Sequence, residues 1–126
     1  MSHLRLAGAR LLVLEDEFLI AMDVEQLCRD HGATDVVICK NLIEALDGGA
    51  NYDAAIIDVM LGGESTLSFA DSLRQNGVPF IFASGYTDRD DIAAAFPDIA
   101  IVGKPYSGQD LIDALTAAIG LSSGNN

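Results

Sequence analysis

The sequence predicts an α/β domain in which five parallel strands form a (βα)₅ doubly wound sheet. Five short apolar runs begin at residues 10, 35, 54, 79 and 99, so successive starts lie 25, 19, 25 and 20 residues apart. Each interval holds a strand and a helix but is too long for a hairpin, which is typical of alternating βα units. The runs are also apolar without alternation, as strands covered by helices on both faces require.

The predicted strands are the apolar runs themselves. In chain order they are Arg10–Leu14, Asp35–Cys39, Ala54–Ile57, Pro79–Ala83 and Ile99–Val102. We expect right-handed crossovers and the flavodoxin-like strand order 2-1-3-4-5. Ligands of such sheets bind at the carboxyl ends of the strands, so the residues that follow each strand are the candidates for function.

Helical patterns fill the intervals between the strands. They cover residues 20–28, 41–46, 66–74, 88–96 and 111–119. We expect the first helix to end at Gly32 and the last to end at Gly120, and we expect the third to have its N-cap at Ser65 and to end at Gly77. Ser107 is the predicted N-cap of the last helix. The fourth helix is expected to be the weakest, because its inner face is predicted to be Ala93–Ala95, whose small side chains bury little area.

Length and charge limit the classes of protein and partner. The 126 residues predict one domain over residues 1–126, with a core at about 10–121 and a polar tail at 122–126. Seven basic and 19 acidic residues give a net charge of −12, so we expect no nucleic-acid partner and no membrane partner. Cys28 and Cys39 lie inside apolar patterns and are predicted to be buried thiols. Free thiols suit a reducing compartment, so a cytoplasmic location is expected.

Carboxylates follow two of the predicted strands. Glu15, Asp16 and Glu17 follow the first strand, and Asp58 follows the third. These strands are neighbours in the expected order, so their carboxylates converge, and like charges at close range favour a cation between them. Oxygen ligands without nearby His or Cys select Mg²⁺. The sequence therefore predicts a Mg²⁺ site, although the first three residues would also favour a helix N-terminus through its dipole.

Two further polar groups follow the fourth and fifth strands. Ser84 comes after the fourth predicted strand, and Lys104 comes after the fifth. A hydroxyl and an ammonium, added to carboxylates and a metal ion, are the groups that neutralise the charge of a transferring phosphoryl group. The combination predicts a phosphoryl-transfer site in which Asp58 is the nucleophile by position.

Four motifs at these strand ends can be compared with known families. They are LVLEDE ending at Glu17, AAIIDVML around Asp58, PFIFASGY ending at Tyr86, and VGKPY ending at Tyr106. From Arg10 to Leu121 the chain resembles the receiver domains of bacterial two-component response regulators. The resemblance implies a signalling switch of a phosphorelay, in which Asp58 accepts a phosphoryl group from a histidine kinase.

The resemblance also implies the partners of such a switch. They are a sensor histidine kinase or phosphotransfer protein and a downstream protein target, which is contacted through the face formed by helix 4, strand 5 and helix 5. No enzyme activity is implied beyond self-catalysed phosphoryl transfer from phosphohistidine and slow autodephosphorylation.

The resemblance assigns a metal-ligand set to this sequence. Asp16 and Asp58 are implied to be direct Mg²⁺ ligands, with the backbone carbonyl of Met60 as a third ligand. Glu15 is implied to act through a water molecule.

Further roles follow at the fourth and fifth strands. Ser84 and Lys104 are implied to hold phosphoryl oxygens. The resemblance also implies a cis peptide bond between Lys104 and Pro105, which would direct Lys104 inward.

Some positions depart from the common receiver pattern. Ile101 stands where many receivers carry an aromatic switch residue, and Tyr86 and Tyr106 are candidate substitutes. Met60 and Tyr86 flank the implied path of the hydrolytic water. Neither is a carboxylate or an amide that would orient water, so we expect autodephosphorylation to take many minutes or longer.

Two other departures concern a loop and a subgroup. Gly62 replaces a proline that is common in the family, and Gly62-Gly63 is expected to loosen that loop. The run PFIFASGY together with KPY resembles the FAT GUY receivers, a subgroup named after a Phe-Ala-Thr-Gly signature, although Ser84 stands where the signature has threonine.

Three alternatives remain open at this point. A Mg²⁺-dependent phosphohydrolase would need a second aspartate two residues after its nucleophile on the first strand, and Phe18 stands two residues after Asp16. A phosphate-independent docking module would have the same fold and bind partner proteins without being phosphorylated. A receiver module cut from a hybrid histidine kinase would have the same sequence features.

Overall fold

The central sheet has the predicted topology. A computed structural model describes residues 5–47, 51–85, 89–104 and 107–123. Within them, one parallel sheet has the strand order β2-β1-β3-β6-β7, and a two-stranded sheet is formed by β4 and β5. In chain order the strands are β1 Arg10–Leu14, β2 Asp35–Cys39, β3 Ala54–Asp58, β4 Met60–Leu61, β5 Glu64–Ser65, β6 Phe80–Ser84 and β7 Ile101–Gly103. The five-stranded order is the flavodoxin-like order predicted from the sequence.

Helices cover both faces of the five-stranded sheet. They are α1 Phe18–Asp30, α2 Leu42–Asp47, α3 Leu67–Gln75, α4 Arg89–Ala95 and α5 Gly108–Ser123. Leu12 and Leu14 of β1 belong to a buried cluster that includes residues of α2, α3 and α4. Leu11 and Val13 belong to a second cluster with residues of α1 and α5. Burial on both faces explains why the strands are continuously apolar.

Several predicted helix boundaries are confirmed. Gly32 and Gly77 have φ angles of 101° and 75° just after α1 and α3, a conformation that glycine adopts without strain. The Oγ of Ser107 accepts a hydrogen bond of 3.1 Å from the backbone N–H of Asp110, as predicted for the N-cap of α5.

Other predicted details of the helices are wrong. Helix α5 continues through Gly120 to Ser123, because a single exposed glycine costs about 1 kcal/mol, too little to end a helix that is packed on the core. The N-cap position of α3 falls on Thr66, one residue after the predicted Ser65, although it is the Oγ of Ser65 that accepts a hydrogen bond from the first turn, from the N–H of Leu67. In α4, Ala93–Ala95 are exposed, and the buried side chains are those of Ile92 and the following Phe96.

The Gly62-Gly63 segment forms a tight turn between two short strands, and the predicted looseness of this loop stays a prediction. The strands β4 and β5 pair in antiparallel register, with Met60 opposite Ser65 and Leu61 opposite Glu64. The two glycines between them have φ angles of 58° and 87°, which residues with a side chain adopt only with strain.

The buried core begins earlier in the chain than predicted. Leu6 is 2% exposed and lies in the cluster of α1 and α5, although the prediction placed the start of the core at about residue 10. Cys28 and Cys39 are both buried free thiols, as predicted. Among the described residues, no helix combines the length and the apolar character needed to cross a membrane.

Candidate functional site

Three carboxylates converge at the carboxyl edge of the sheet. Glu15 and Asp16 follow β1, and Asp58 ends β3. Because β1 and β3 are neighbouring parallel strands, with Leu14 opposite Ile57, these residues reach the same edge. One carboxylate oxygen from each of the three lies within 4.8 Å of the others. The convergence predicted from the sequence is therefore present.

Lys104 lies against two of these carboxylates. Its Nζ donates hydrogen bonds of 2.7 Å to Oε1 of Glu15 and 2.8 Å to Oδ2 of Asp58. Burial lowers the pKa of Lys104, but the hydrogen bonds to Asp58 and Glu15 outweigh it and raise the pKa above its usual value. The lysine is therefore a permanent cation that offsets part of the negative charge of the cluster.

Glu15 is the most buried acid of the cluster. The residue is 4% exposed, and its second oxygen, Oε2, accepts a 3.0 Å hydrogen bond from the backbone N–H of Glu17. Burial raises the pKa of Glu15, although the hydrogen bonds from Lys104 and Glu17 act in the opposite direction. Both oxygens of this carboxylate are already engaged, which suits a residue that contacts a cation indirectly.

Asp16 differs from the other two acids because it is exposed. Its Oδ2 accepts a 3.0 Å hydrogen bond from the backbone N–H of Gly62, in the turn between β4 and β5. The contact joins the end of β1 to the hairpin that follows Asp58. Asp16 thus lies on the solvent-exposed side of the cluster, from which an ion can enter.

The donor set of the cluster fits a hard divalent cation. Three carboxylates against the one ammonium of Lys104 leave an excess of negative charge for a cation to neutralise. Oxygen donors of this kind suit Mg²⁺, which is bound by a few carboxylates together with water and phosphate oxygens. Met60 begins β4 two residues after Asp58, so its carbonyl lies close to Asp58 in the chain.

Ser84 lies at the same edge as Lys104. It ends β6, is 5% exposed, and pairs in register with Gly103. The backbone N–H of Lys104 donates a 2.8 Å hydrogen bond to the carbonyl of Ser84, which ties the ends of β6 and β7 together. The five-stranded sheet therefore brings Ser84 to the edge that carries the acids and Lys104.

Of the remaining predicted site residues, the structure describes some and leaves others outside the described ranges. Ile101 is half-buried on β7 and packs against the cluster of α2, α3 and α4. Met60 is 44% exposed. Tyr86, Pro105 and Tyr106 lie outside the described residues, so the cis peptide bond and the roles of both tyrosines stay predictions.

One residue of the site was missed from the sequence. Thr66 is fully buried, and its Oγ1 donates to the backbone carbonyls of Asp58, at 2.7 Å, and Val59, at 3.0 Å. A threonine just before a helix is ordinarily an N-cap, so its type and position give no signal of a second partner.

In sequence, the chain is similar to transcriptional regulators of bacteria. The chain is 33% identical over 87 residues to TdiR of Thauera aromatica, covering 66% of this chain and 38% of that protein. It is 29% identical over 123 residues to PfeR of Pseudomonas aeruginosa and 28% identical over 115 residues to PdtaR of Mycobacterium tuberculosis, covering 94% and 87% of this chain. The chain spans 38%, 40% and 56% of the length of these three relatives. No family model matches it.

Solved structures share the fold over nearly the whole chain. SdrG of Sphingomonas melonis Fr1 is 34% identical, with a TM-score of 0.74, and the match covers 89% of this chain and 96% of SdrG. The response regulator PhyR of Brucella abortus is 27% identical, with a TM-score of 0.80, over 98% of this chain and 53% of PhyR. A response regulator receiver protein of Sinorhizobium medicae has a TM-score of 0.79 at 23% identity, over 91% of this chain and 97% of that chain.

The fold, the acidic cluster and the similar proteins all point to one family. The strand order and the Glu15–Asp16–Asp58 cluster are those expected of a receiver, and the similar structures include response regulators and a response regulator receiver protein. The chain belongs to the response regulator receiver family, the signalling domains of two-component systems.

Proposed function

We propose that the chain is a phosphorylation-dependent switch in which Asp58 accepts a phosphoryl group from phosphohistidine. The observation that carries the proposal is the position of Asp58, whose Oδ2 lies 2.8 Å from Nζ of Lys104 inside a cluster of three carboxylates. A carboxylate next to a fixed cation is the arrangement that phosphoryl transfer requires, since the transferring group carries charge on its equatorial oxygens.

The transfer is a single displacement at phosphorus. A carboxylate oxygen of Asp58 forms the new O–P bond while the P–N bond to the imidazole breaks, and the imidazole leaves with the bonding electrons. Mg²⁺, held by Asp16, Asp58 and the Met60 carbonyl with Glu15 acting through water, would neutralise charge on the equatorial oxygens. Lys104 already lies at hydrogen-bond distance from the acceptor and is available to the new phosphoryl oxygens.

The signal passes to the face formed by α4, β7 and α5. In the proposed active state Ser84 and Lys104 both bind the phosphoryl group, and they lie at the ends of β6 and β7. Their backbones are joined by the bond from the Lys104 N–H to the Ser84 carbonyl, so the two strand ends move together. The proposed readout is a shift of an existing equilibrium between two arrangements of this face.

The proposed partners are proteins. A sensor histidine kinase or phosphotransfer protein supplies the phosphoryl group, and a downstream protein reads the α4, β7 and α5 face. We expect a cytoplasmic location, no nucleic-acid or membrane partner in view of the net charge of −12, and no turnover of an external substrate. Membership of the FAT GUY subgroup also stays a prediction.

Intact mass measurement tests the proposed acceptor. Wild type, Asp58→Asn and the exposed control Asp98→Asn are incubated with Mg²⁺ and acetyl phosphate, and their masses are followed over time. We expect a gain of one phosphoryl group in wild type and Asp98→Asn but not in Asp58→Asn, and no gain when EDTA replaces Mg²⁺. If wild type binds Mg²⁺ but gains no phosphoryl group, a phosphate-independent docking module becomes the better account.

The same measurement tests the lifetime of the phosphoryl group. Met60 is partly exposed beside the acceptor and carries no group that orients water, so we expect the adduct to decay over many minutes or longer. Met60→Asn adds an amide at this position and should shorten the lifetime. Decay of the wild-type adduct within seconds contradicts the assigned role of Met60.

A further inference from the structure

Thr66 occupies an N-cap position without capping its own helix. It precedes α3, but its side chain makes no capping hydrogen bond. The neighbouring Ser65 instead accepts a 3.3 Å hydrogen bond from the backbone N–H of Leu67. An N-cap hydroxyl ordinarily contributes about 1 kcal/mol to its helix, so the diversion of this buried hydroxyl needs another explanation.

The hydroxyl bonds to the backbone of the phosphoacceptor. Thr66 Oγ1 lies 2.7 Å from the carbonyl of Asp58 and 3.0 Å from the carbonyl of Val59. The Thr66 backbone N–H also donates a 3.0 Å bond to the Val59 carbonyl. Residues 59 and 66 are thus joined at the base of the hairpin that contains Met60 and the Gly62-Gly63 turn.

These contacts fix the chain on one side of the site. The backbone N–H of Val59 donates a 3.1 Å hydrogen bond to the carbonyl of Ala83 in β6. The peptide groups around Asp58 are therefore fixed by hydrogen bonds to the sheet on one side and to Thr66 on the other. The far end of the hairpin is held by the bond from Gly62 to Asp16. The direction of the Asp58 side chain and the position of Met60 therefore both depend on a segment that the Thr66 hydroxyl anchors.

We propose that Thr66 is a positioning residue, whose hydroxyl holds the Asp58–Met60 backbone so that the acidic cluster binds its cation and Asp58 meets the phosphodonor. The inference rests on the proposed function and adds to it a residue that touches neither the cation nor the phosphoryl group. Loss of one hydrogen bond of this kind corresponds to roughly a three- to tenfold change in an equilibrium or a rate.

The test compares variants that differ by one hydroxyl. Thr66→Val removes the hydroxyl at nearly constant volume, and Thr66→Ser keeps it. Thr116→Val is the control away from the site, because Thr116 Oγ1 also donates to two backbone carbonyls, those of Ile112 at 2.8 Å and Asp113 at 3.2 Å, and in addition accepts a 2.6 Å hydrogen bond from Arg5. Mg²⁺ affinity is measured by calorimetry without any phosphodonor, and phosphorylation by acetyl phosphate is followed by intact mass.

We expect Thr66→Val to bind Mg²⁺ about three- to tenfold more weakly and to be phosphorylated more slowly by a similar factor. Thr66→Ser should restore both values, and Thr116→Val should match wild type in both while losing thermal stability. A folded Thr66→Val that equals wild type in Mg²⁺ affinity and in rate overturns the proposal, as does a Thr66→Ser that falls as far as Thr66→Val. If the valine variant does not fold, Thr66→Ala takes its place with the same criteria.

The two proposals fail in different ways. A wild-type protein that gains no phosphoryl group from any donor refutes the proposed function, while the Mg²⁺ affinities still test Thr66. A wild-type protein that is phosphorylated normally, beside an unchanged Thr66→Val, refutes only the role of Thr66.

Discussion

At the scale of single residues, Lys104 controls the charge balance of the site. Its ammonium lies 2.7 Å from Glu15 and 2.8 Å from Asp58, and the side chain is only 14% exposed. Removing one partner from a buried ion pair leaves an uncompensated charge and costs about 3–5 kcal/mol. The lysine is therefore needed for stability as well as for the proposed chemistry.

We expect Lys104→Met to lower the free energy of unfolding in EDTA by about 3 kcal/mol. Mg²⁺ should stabilise this variant more than wild type, since the carboxylates then face less competing positive charge. Urea unfolding with and without Mg²⁺ measures both effects, and Lys40→Met, at an exposed lysine, should change neither by more than about 0.5 kcal/mol. Equal stability of Lys104→Met and wild type in EDTA would show that the pair contributes nothing.

Cys28 provides a pH-dependent test of burial. Burial raises the pKa of its thiol to about 12, from an ordinary value of 9.0. Above pH 9 the unfolded chain releases this proton while the folded chain keeps it, so the contribution of Cys28 is complete below pH 9 and is lost as the pH rises towards 12. The loss is at most about 1.4 kcal/mol per pH unit.

We expect the stability difference between wild type and Cys28→Ala to shrink as the pH rises from 9 to 11. Urea unfolding at several pH values measures the difference, and the comparison cancels the titration of other groups. A difference that is independent of pH above 9 contradicts the assigned burial of the thiol.

At the scale of elements, two glycines show how context decides the effect of one residue type. Gly120 lies within α5, is exposed, and a Cβ placed there meets no atom within 4 Å. Gly62 has a φ of 58° in the turn between β4 and β5, a conformation that disfavours any side chain. The same substitution should therefore act in opposite directions at the two sites.

We expect Gly120→Ala to raise the free energy of unfolding by about 0.5–1 kcal/mol and Gly62→Ala to lower it by about 1–2 kcal/mol. Thermal unfolding of both variants beside wild type measures the two signs. A stabilised Gly62→Ala would mean that this turn does not require a positive φ, and a destabilised Gly120→Ala would mean that α5 ends where the sequence pattern suggested.

The short helix α4 shows the same dependence on context. The sequence predicted that its alanines form the buried face. The residues that pack on the core are instead Ile92 and Phe96, which are 1% and 3% exposed. The Phe96 ring packs edge-on against Phe80 and Phe82 of β6, with centroids 6.0 and 5.3 Å apart. This aromatic contact joins α4 to the strand that carries Ser84.

At the scale of the whole molecule, the net charge of −12 and the acidic cluster act together. Self-repulsion of a highly charged chain is relieved by any salt, whereas the cluster should respond to a divalent cation specifically. A ligand that binds only the folded state stabilises it by about 2.7 kcal/mol at one hundred times its dissociation constant.

We expect Mg²⁺ to raise the melting temperature more than NaCl does at equal ionic strength. Asp16→Asn should remove most of this excess, because Asp16 is the exposed member of the cluster, while Asp98→Asn should keep it. Thermal unfolding in the two salts measures the excess for each variant. An identical response of wild type to both salts would argue against a metal site.

The sequence by itself determined the five-stranded sheet and the edge at which its acidic residues meet. Continuous apolar runs at βα spacing are sufficient to predict the five parallel strands. With the flavodoxin-like order expected for them, they also predict the edge to which Glu15, Asp16 and Asp58 are brought, because the carboxyl ends of parallel strands lie together. Composition and local pattern carry this information without any knowledge of packing.

Only the tertiary structure decided how the polar groups pair. Thr66 bonds to the backbone of Asp58 instead of to its own helix, and Lys104 bridges Glu15 and Asp58. Packing on the core likewise carries α5 through Gly120. For Thr66 and Gly120 the local preference is worth about 1 kcal/mol, and burial among partners distant in the sequence outweighs it.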